Sequence, residues 1–124
     1  MPTVLLVDDD ADLVLANQLV LSRRGYSVRT AGSAAEALKQ LQAARPDVIV
    51  LDVMMESNDA GFALARQVQQ LYPGLPTVIL TSIHARQSGS MRFEPDSDWL
   101  PVARFLDKPV DPAKLADEVA KLLP

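Results

Sequence analysis

The sequence predicts an α/β fold: a doubly wound parallel sheet of five strands with helices on both faces. Two continuous apolar runs, residues 4–7 and 48–51, each lead into aspartate and are typical of strands buried on both faces. Segments with helical periodicity follow both runs, so strands and helices alternate along the chain. Such alternation favours parallel strands joined by right-handed helical crossovers.

The first, third and fourth predicted strands are rich in β-branched and aliphatic residues, which pack well in a buried sheet. The second strand is a shorter alternating run, and the fifth has the weakest pattern of the five. In chain order, the five predicted strands are residues 3–7, 26–31, 48–51, 77–81 and 102–106.

The predicted helices have recognisable ends. Ser33 with Glu36 three residues later forms a capping box, in which each side chain can accept an unpaired N–H of the first turn. Asp111 followed by Pro112 starts the last helix, because proline at the first position loses only an N–H that is unpaired anyway. The helices are residues 11–24 before Gly25, 34–44 before Arg45-Pro46, 61–72 before Pro73-Gly74, and 113–123.

One stretch interrupts the alternation. Residues 82–101 contain Gly89, Pro95, Pro101 and several Ser and Asp residues, where a helix between the fourth and fifth strands is expected. Proline and glycine disfavour a regular helix. We therefore expect this fourth helix to be missing or irregular and the segment to be mobile.

Composition narrows the functional classes. A chain of 124 residues with 48% hydrophobic residues is expected to form one domain, residues 1–124, with no output domain. The net charge of −4 offers no bulk attraction to nucleic acid, and the apolar runs are too short to span a membrane. The absence of cysteine excludes thiol chemistry and suits a cytoplasmic location.

Chemistry is expected at one edge of the sheet. In open parallel sheets, ligands bind outside the carboxyl ends of the strands. The first strand leads to Asp8 and Asp9, the third to Asp52, the fourth to Thr81, and the segment after the fifth to Lys108. We expect three carboxylates, one hydroxyl and one ammonium group to converge there.

Clustered carboxylates repel one another, and a hard divalent cation relieves that repulsion. Oxygen ligands with two or three carboxylates suit Mg²⁺, which retains several waters and takes phosphate oxygens as further ligands. The alternative is that Asp8 to Asp10 are only N-cap and first-turn acids of the first helix. Asp10 is assigned to that alternative.

Asp52 ends an apolar strand, where a carboxylate could attack a phosphoryl group and form an acyl phosphate. Lys108 and Mg²⁺ would neutralise charge on that group, and Thr81 would donate a hydrogen bond to one of its oxygens. Each residue taken alone has an ordinary structural explanation. The occurrence of all of them together at the strand ends is improbable by chance.

The segments VLLVDDD, VIVLDVMM, PTVILTS and FLDKP, in this order and separated by helices, resemble the receiver domains of two-component response regulators. The resemblance covers essentially the whole chain and implies the chemotaxis-type, flavodoxin-like fold with strand order 2-1-3-4-5. By this resemblance the Mg²⁺ site is formed by Asp8, Asp9, Asp52 and the Met54 carbonyl, and Asp52 is also the phosphoacceptor. The resemblance makes Lys108 and Thr81 catalytic residues. It also makes Thr81 and Phe105 the switch residues, and it implies that a cis peptide precedes Pro109.

The sequence departs from the family pattern in two places. The loop of residues 56–61 is slightly longer than usual and lacks the usual proline, and the interval between Thr81 and Lys108 is longer than usual. By resemblance, Met54 and Ile83 lie over the path of water towards the phosphoryl group. Neither side chain can orient or deprotonate water, so a long-lived phosphoryl group is expected.

The resemblance implies a phosphorylation switch in a two-component phosphorelay, with a sensor histidine kinase or phosphotransfer protein as donor and a downstream effector protein. The protein would assist its own phosphorylation and dephosphorylation without being a turnover enzyme, and a homodimer remains open. A kinase-independent pseudo-receiver that binds other proteins is the alternative. An aspartate-nucleophile phosphatase of the haloacid dehalogenase type is disfavoured because Met54 stands where its acid would be. A dinucleotide site is disfavoured because no GxGxxG follows the first strand.

Overall fold

The computed structural model describes residues 2–52, 60–82, 103–108 and 111–123. Within these ranges, strands and helices alternate in the predicted order. The elements are β1 (Thr3–Val7), α1 (Ala11–Arg23), β2 (Ser27–Ala31), α2 (Ala34–Ala43), β3 (Val48–Asp52), α3 (Ala60–Leu71), β4 (Thr77–Ser82), β5 (Ala103–Lys108) and α4 (Pro112–Leu122).

The five strands form one sheet in the order β2-β1-β3-β4-β5, and all neighbouring strands pair in parallel. The predicted α/β class and strand order are confirmed. Parallel pairing aligns the carboxyl ends of all five strands along one edge of the sheet. That edge carries the candidate site.

Alternate residues of the central strands face opposite sides of the sheet, because side chains in a strand alternate with a period of two. Leu5, Ile49 and Ile79 pack with α2 and α3 in one buried cluster, whereas Val4 and Val48 pack with α1 and α4 in the other. Each of these side chains is fully buried. Two cores, one on each face, make the domain doubly wound and hold the central strands rigidly.

The predicted helix ends are confirmed. The Ser33 hydroxyl accepts the Glu36 N–H at 3.1 Å, and the Glu36 carboxylate accepts the Gly32 N–H at 2.9 Å. Asp111 caps α4 by accepting the Ala113 N–H at 3.1 Å. The helices begin and end within one residue of their predicted bounds.

The turn between α1 and β2 depends on Gly25, which has a φ of 95°. This left-handed conformation is strained for residues with a Cβ atom. The Gly25 N–H donates to the Ser22 carbonyl at 3.1 Å, which ends α1 where the sequence predicted.

Arg29 of β2 links the C-terminal end of α2 to the sheet by hydrogen bonds. Its guanidinium donates to the Gln40 carbonyl at 2.6 Å and to the Ala44 carbonyl at 2.9 Å. It also donates through Nε to the Gln40 side chain at 3.0 Å. A cation at the C-terminal end of a helix satisfies unpaired carbonyls and opposes the negative end of the helix dipole.

The fifth strand reaches two residues further than predicted, because Asp107 and Lys108 continue the pairing with Thr81 and Ser82. Ser82 therefore belongs to β4 and not to the expected irregular segment. The rest of that segment, residues 83–101, lies outside the described residues, as does the expected missing helix. Among the helices described, none has the length and apolar character needed to cross a membrane.

Candidate functional site

Asp8 directly follows β1 and is held at the edge of the sheet. Its N–H donates to the Ala31 carbonyl at 3.1 Å, which continues the pairing of β1 with β2 beyond the last strand residue. Its Oδ1 accepts the Asp10 N–H at 2.9 Å. The residue is only 7% exposed, so Asp8 is buried at this edge of the sheet.

Asp52 is the last residue of β3 and is 3% exposed. It lies level with Leu80 of β4 in the strand register. Asp9 follows β1, which pairs with β3 on the side away from β4, and is exposed to solvent. One carboxylate oxygen from each of Asp8, Asp9 and Asp52 lies within 4.8 Å of the others. The structure thus brings the three predicted acids into one cluster.

The donor set of this cluster fits a hard divalent cation. All three side chains offer carboxylate oxygens, which Mg²⁺ prefers over nitrogen or sulfur. Two of the three are buried, where closely spaced negative charges are costly unless they are neutralised. Asp8, Asp9 and Asp52 could therefore hold Mg²⁺ with part of its coordination shell left for water or phosphate oxygens.

The backbone of β4 and β5 brings Thr81 and Lys108 to the same edge. Thr81 lies one residue beyond Leu80, the partner of Asp52, and pairs with Asp107. Lys108 follows Asp107 as the last residue of β5. Phe105 pairs with Ile79 further back in the sheet. These positions agree with the expected convergence of strand ends.

Three further residues of the expected site lie outside the described residues. They are Met54, whose carbonyl was expected at the metal, Ile83, expected over the path of water, and Pro109, expected after a cis peptide. Asp10 is described, and it takes the role the sequence assigned to it. Its carboxylate caps α1 by accepting the N–H groups of Asp12 and Leu13.

A groove of about 430 Å³ opens beside Asp8 and Asp9. Its remaining lining comes from the first turns of α1 and the end of β2, including Gln18, Thr30 and Gly32. The sequence reasoning missed these residues, although the rule that selected the other strand ends applies equally to the end of β2. The groove opens to solvent beside two of the three clustered acids, Asp8 and Asp9.

The sequence matches the family model described as the response regulator receiver domain over residues 4–120. This match covers nearly the whole chain and includes all three clustered acids. The chain belongs to the response regulator receiver domain family. The five-stranded parallel sheet is thus that of a receiver domain.

Curated relatives extend this assignment to named response regulators. The receiver domain is 39% identical to the transcriptional regulatory protein GlrR of Escherichia coli over 108 residues, which are 87% of this chain and 23% of that protein. It is 32% identical to the alkaline phosphatase synthesis transcriptional regulatory protein PhoP of Bacillus subtilis over 97% of this chain and 48% of that protein. The chain therefore spans less than half the length of these relatives.

Solved structures agree on the fold. The receiver domain of NtrX from Brucella abortus superimposes with a TM-score of 0.80 at 26% identity, covering 97% of both chains. A response regulator from Chloroflexus aurantiacus gives 0.78 at 33% identity, covering 98% of this chain and 96% of that one. The fold of this chain is thus that of experimentally determined receiver domains.

Proposed function

We propose that this receiver domain is a Mg²⁺-dependent phosphorylation switch whose phosphoacceptor is Asp52. The observation that carries the proposal is the cluster of Asp8, Asp9 and buried Asp52 within 4.8 Å, in a chain of the receiver family. A carboxylate at the end of a rigid central strand is held ready for attack, so little ordering is needed before reaction.

The phosphoryl donor is a phosphohistidine of a sensor histidine kinase or phosphotransfer protein. A carboxylate oxygen of Asp52 attacks phosphorus, the bond from phosphorus to the donor imidazole breaks, and the imidazole takes up a proton. Mg²⁺, when bound by Asp8, Asp9, Asp52 and the Met54 carbonyl, supplies positive charge that offsets the negative charge of the phosphoryl oxygens.

Thr81 and Lys108 respond to the new phosphoryl group. The Lys108 ammonium neutralises charge on it, and the Thr81 hydroxyl donates a hydrogen bond to one of its oxygens. Thr81 lies next to the carboxyl end of β4, where the segment that joins β4 to β5 begins, and Lys108 pairs with Ser82 at that same end, so a shift of either residue is passed to that segment. Phe105 of β5 is the second switch residue, and the changed surface is read by a downstream effector protein.

The acidic cluster favours a phosphoacceptor over a pseudo-receiver that only binds partner proteins. A binding scaffold gains nothing from keeping two buried carboxylates beside a third, because such a cluster costs stability when no cation is bound. The protein assists its own phosphorylation and dephosphorylation and is not a turnover enzyme. The absence of cysteine suits the cytoplasm, where we place the reaction.

Intact-mass spectrometry after incubation with acetyl phosphate tests the proposal, with and without Mg²⁺. We expect one phosphoryl addition that requires Mg²⁺ and disappears in Asp52→Asn. Asp47→Asn is the matched control, because Asp47 is an exposed aspartate that precedes the same strand. It should be phosphorylated like the unmodified protein.

Two results would overturn the proposal. One is undiminished phosphorylation of Asp52→Asn that peptide mapping does not assign to a neighbouring acid such as Asp8 or Asp9. The other is phosphorylation that proceeds equally well when Mg²⁺ is removed by a chelator. Peptide mapping of the labelled protein separates labelling of Asp52 from labelling of a neighbouring acid.

A further inference from the structure

Asp10 connects the acidic cluster to the first helix. Its N–H donates to Asp8 Oδ1 at 2.9 Å. Its own Oδ1 accepts the Asp12 N–H at 3.1 Å and the Leu13 N–H at 3.3 Å. Its carbonyl accepts the Val14 N–H at 3.0 Å. The residue is therefore fixed to α1 by both its side chain and its carbonyl while it holds one oxygen of Asp8.

Asp8 needs that donor because it is buried. A carboxylate that is 7% exposed has lost most of its contact with water, and its oxygens must be satisfied by the protein or by a cation. The Asp10 N–H fixes one oxygen, which restricts rotation of the carboxylate and fixes where the other oxygen lies. Groups that hold a metal ligand in this way commonly contribute to metal affinity.

The carboxylate of Asp10 is not itself part of the cluster. Among the described residues, the acids whose carboxylate oxygens lie within 4.8 Å of one another are Asp8, Asp9 and Asp52. Two helix N–H groups already bond to the Asp10 carboxylate, and the positive end of the α1 dipole offsets its charge. Its contribution to the cluster runs through its backbone N–H, whose place depends on the cap.

We infer that Asp10 is a positioning residue: by capping α1 it holds its N–H against Asp8 and so orders the carboxylate that binds Mg²⁺. This inference rests on the proposed function, because it assumes that Asp8 is a metal ligand. Loss of the cap frays the first turn of the helix and releases the donor from Asp8. Metal affinity should then fall even though every metal ligand is still present.

The test compares Mn²⁺ binding, followed by electron paramagnetic resonance, in Asp10→Ala and Asp10→Asn. Asparagine caps helices as well as aspartate does, whereas alanine offers no acceptor. Asp10→Ala should bind Mn²⁺ about tenfold more weakly than the unmodified protein. Asp10→Asn should retain the affinity, apart from a loss of charge attraction that disappears at high salt.

Asp111→Ala is the matched control, because it removes the equivalent cap of α4. In urea unfolding, Asp111→Ala should lose a similar amount of stability to Asp10→Ala, but it should keep its Mn²⁺ affinity. This result separates the positioning of Asp8 from general destabilisation. If Asp10→Ala does not fold, Asp10→Gly replaces it, since glycine also lacks the side-chain acceptor but destabilises the start of a helix less than alanine does.

The outcomes separate this inference from the proposed function. Unchanged affinity in folded Asp10→Ala, or an equal loss in Asp10→Asn at high salt, would overturn the role of the cap and leave the metal site standing. Absence of Mn²⁺ binding in the unmodified protein would overturn the metal site itself. Recovery of affinity in Asp10→Asn, with Asp111→Ala unchanged, supports the inference.

Discussion

Neutralising Asp52 should stabilise the metal-free protein. Asp8 and Asp52 are both buried, and their carboxylate oxygens lie within 4.8 Å of each other. In the absence of a cation, their repulsion opposes folding, since the unfolded chain separates the two charges. Asp52→Asn removes one of those charges with almost no change of shape.

The size of the effect follows from the distance. Two unit charges 4.8 Å apart repel by about 3.5 kcal/mol at an effective dielectric constant of about 20. Asp8 already accepts an N–H from Asp10, and this hydrogen bond offsets part of the repulsion. We therefore expect Asp52→Asn to raise the free energy of unfolding by about 1–2 kcal/mol.

Urea unfolding followed by circular dichroism, with a chelator present, measures this gain. In the unmodified protein, Mg²⁺ at one hundred times its dissociation constant should add about 2.7 kcal/mol to the free energy of unfolding. The same Mg²⁺ concentration should add much less in Asp52→Asn, because one ligand has been lost. Without Mg²⁺, the free energy of unfolding should therefore be higher in Asp52→Asn than in the unmodified protein. With Mg²⁺, it should be lower in the variant.

Asp12→Asn is the control for a general reduction of the net negative charge. Asp12 is exposed in the first turn of α1, where its charge is favoured by the helix dipole. Its neutralisation should lower the free energy of unfolding by about 0.5 kcal/mol or less. A destabilised Asp52→Asn in the absence of metal, or an equal gain in Asp12→Asn, would refute the repulsion at the cluster.

Three other predictions concern the rest of the domain. Arg29→Met should lower the free energy of unfolding by about 1–2 kcal/mol in urea, because the partly buried Gln40 carbonyl and the Ala44 carbonyl lose their charged donor; an unchanged midpoint would contradict this. Met54→Asn combined with Ile83→Glu should speed the loss of phosphate measured by intact mass, and equal or slower decay would contradict shielding by those side chains. Hydrogen exchange across residues 83–101, the expected irregular segment without Ser82 of β4, should be fast and should slow with beryllofluoride, accompanied by a shift of Trp99 fluorescence. Strong protection that the mimic leaves unchanged would show a rigid lid.

The sequence alone predicted the fold class, because its signals are local. Apolar runs that end in aspartate, helical periodicity and capping residues such as Ser33 and Asp111 each act within a few residues. The alternation of these elements leaves few topologies, and the rule for open parallel sheets then selects the strand ends. Asp8, Asp9 and Asp52 were found in this way, and so was the cap at Asp10.

The tertiary structure decided what depends on residues distant in the chain. The burial of Asp8 and Asp52 follows from the pairing of β1 with β3, and so does the approach of their carboxylate oxygens to within 4.8 Å. The contacts of Arg29 with the end of α2 likewise require β2 and α2 to pack side by side. Local patterns contain no information on distances across strands, because strand register is fixed only when both faces of the sheet pack against their helices.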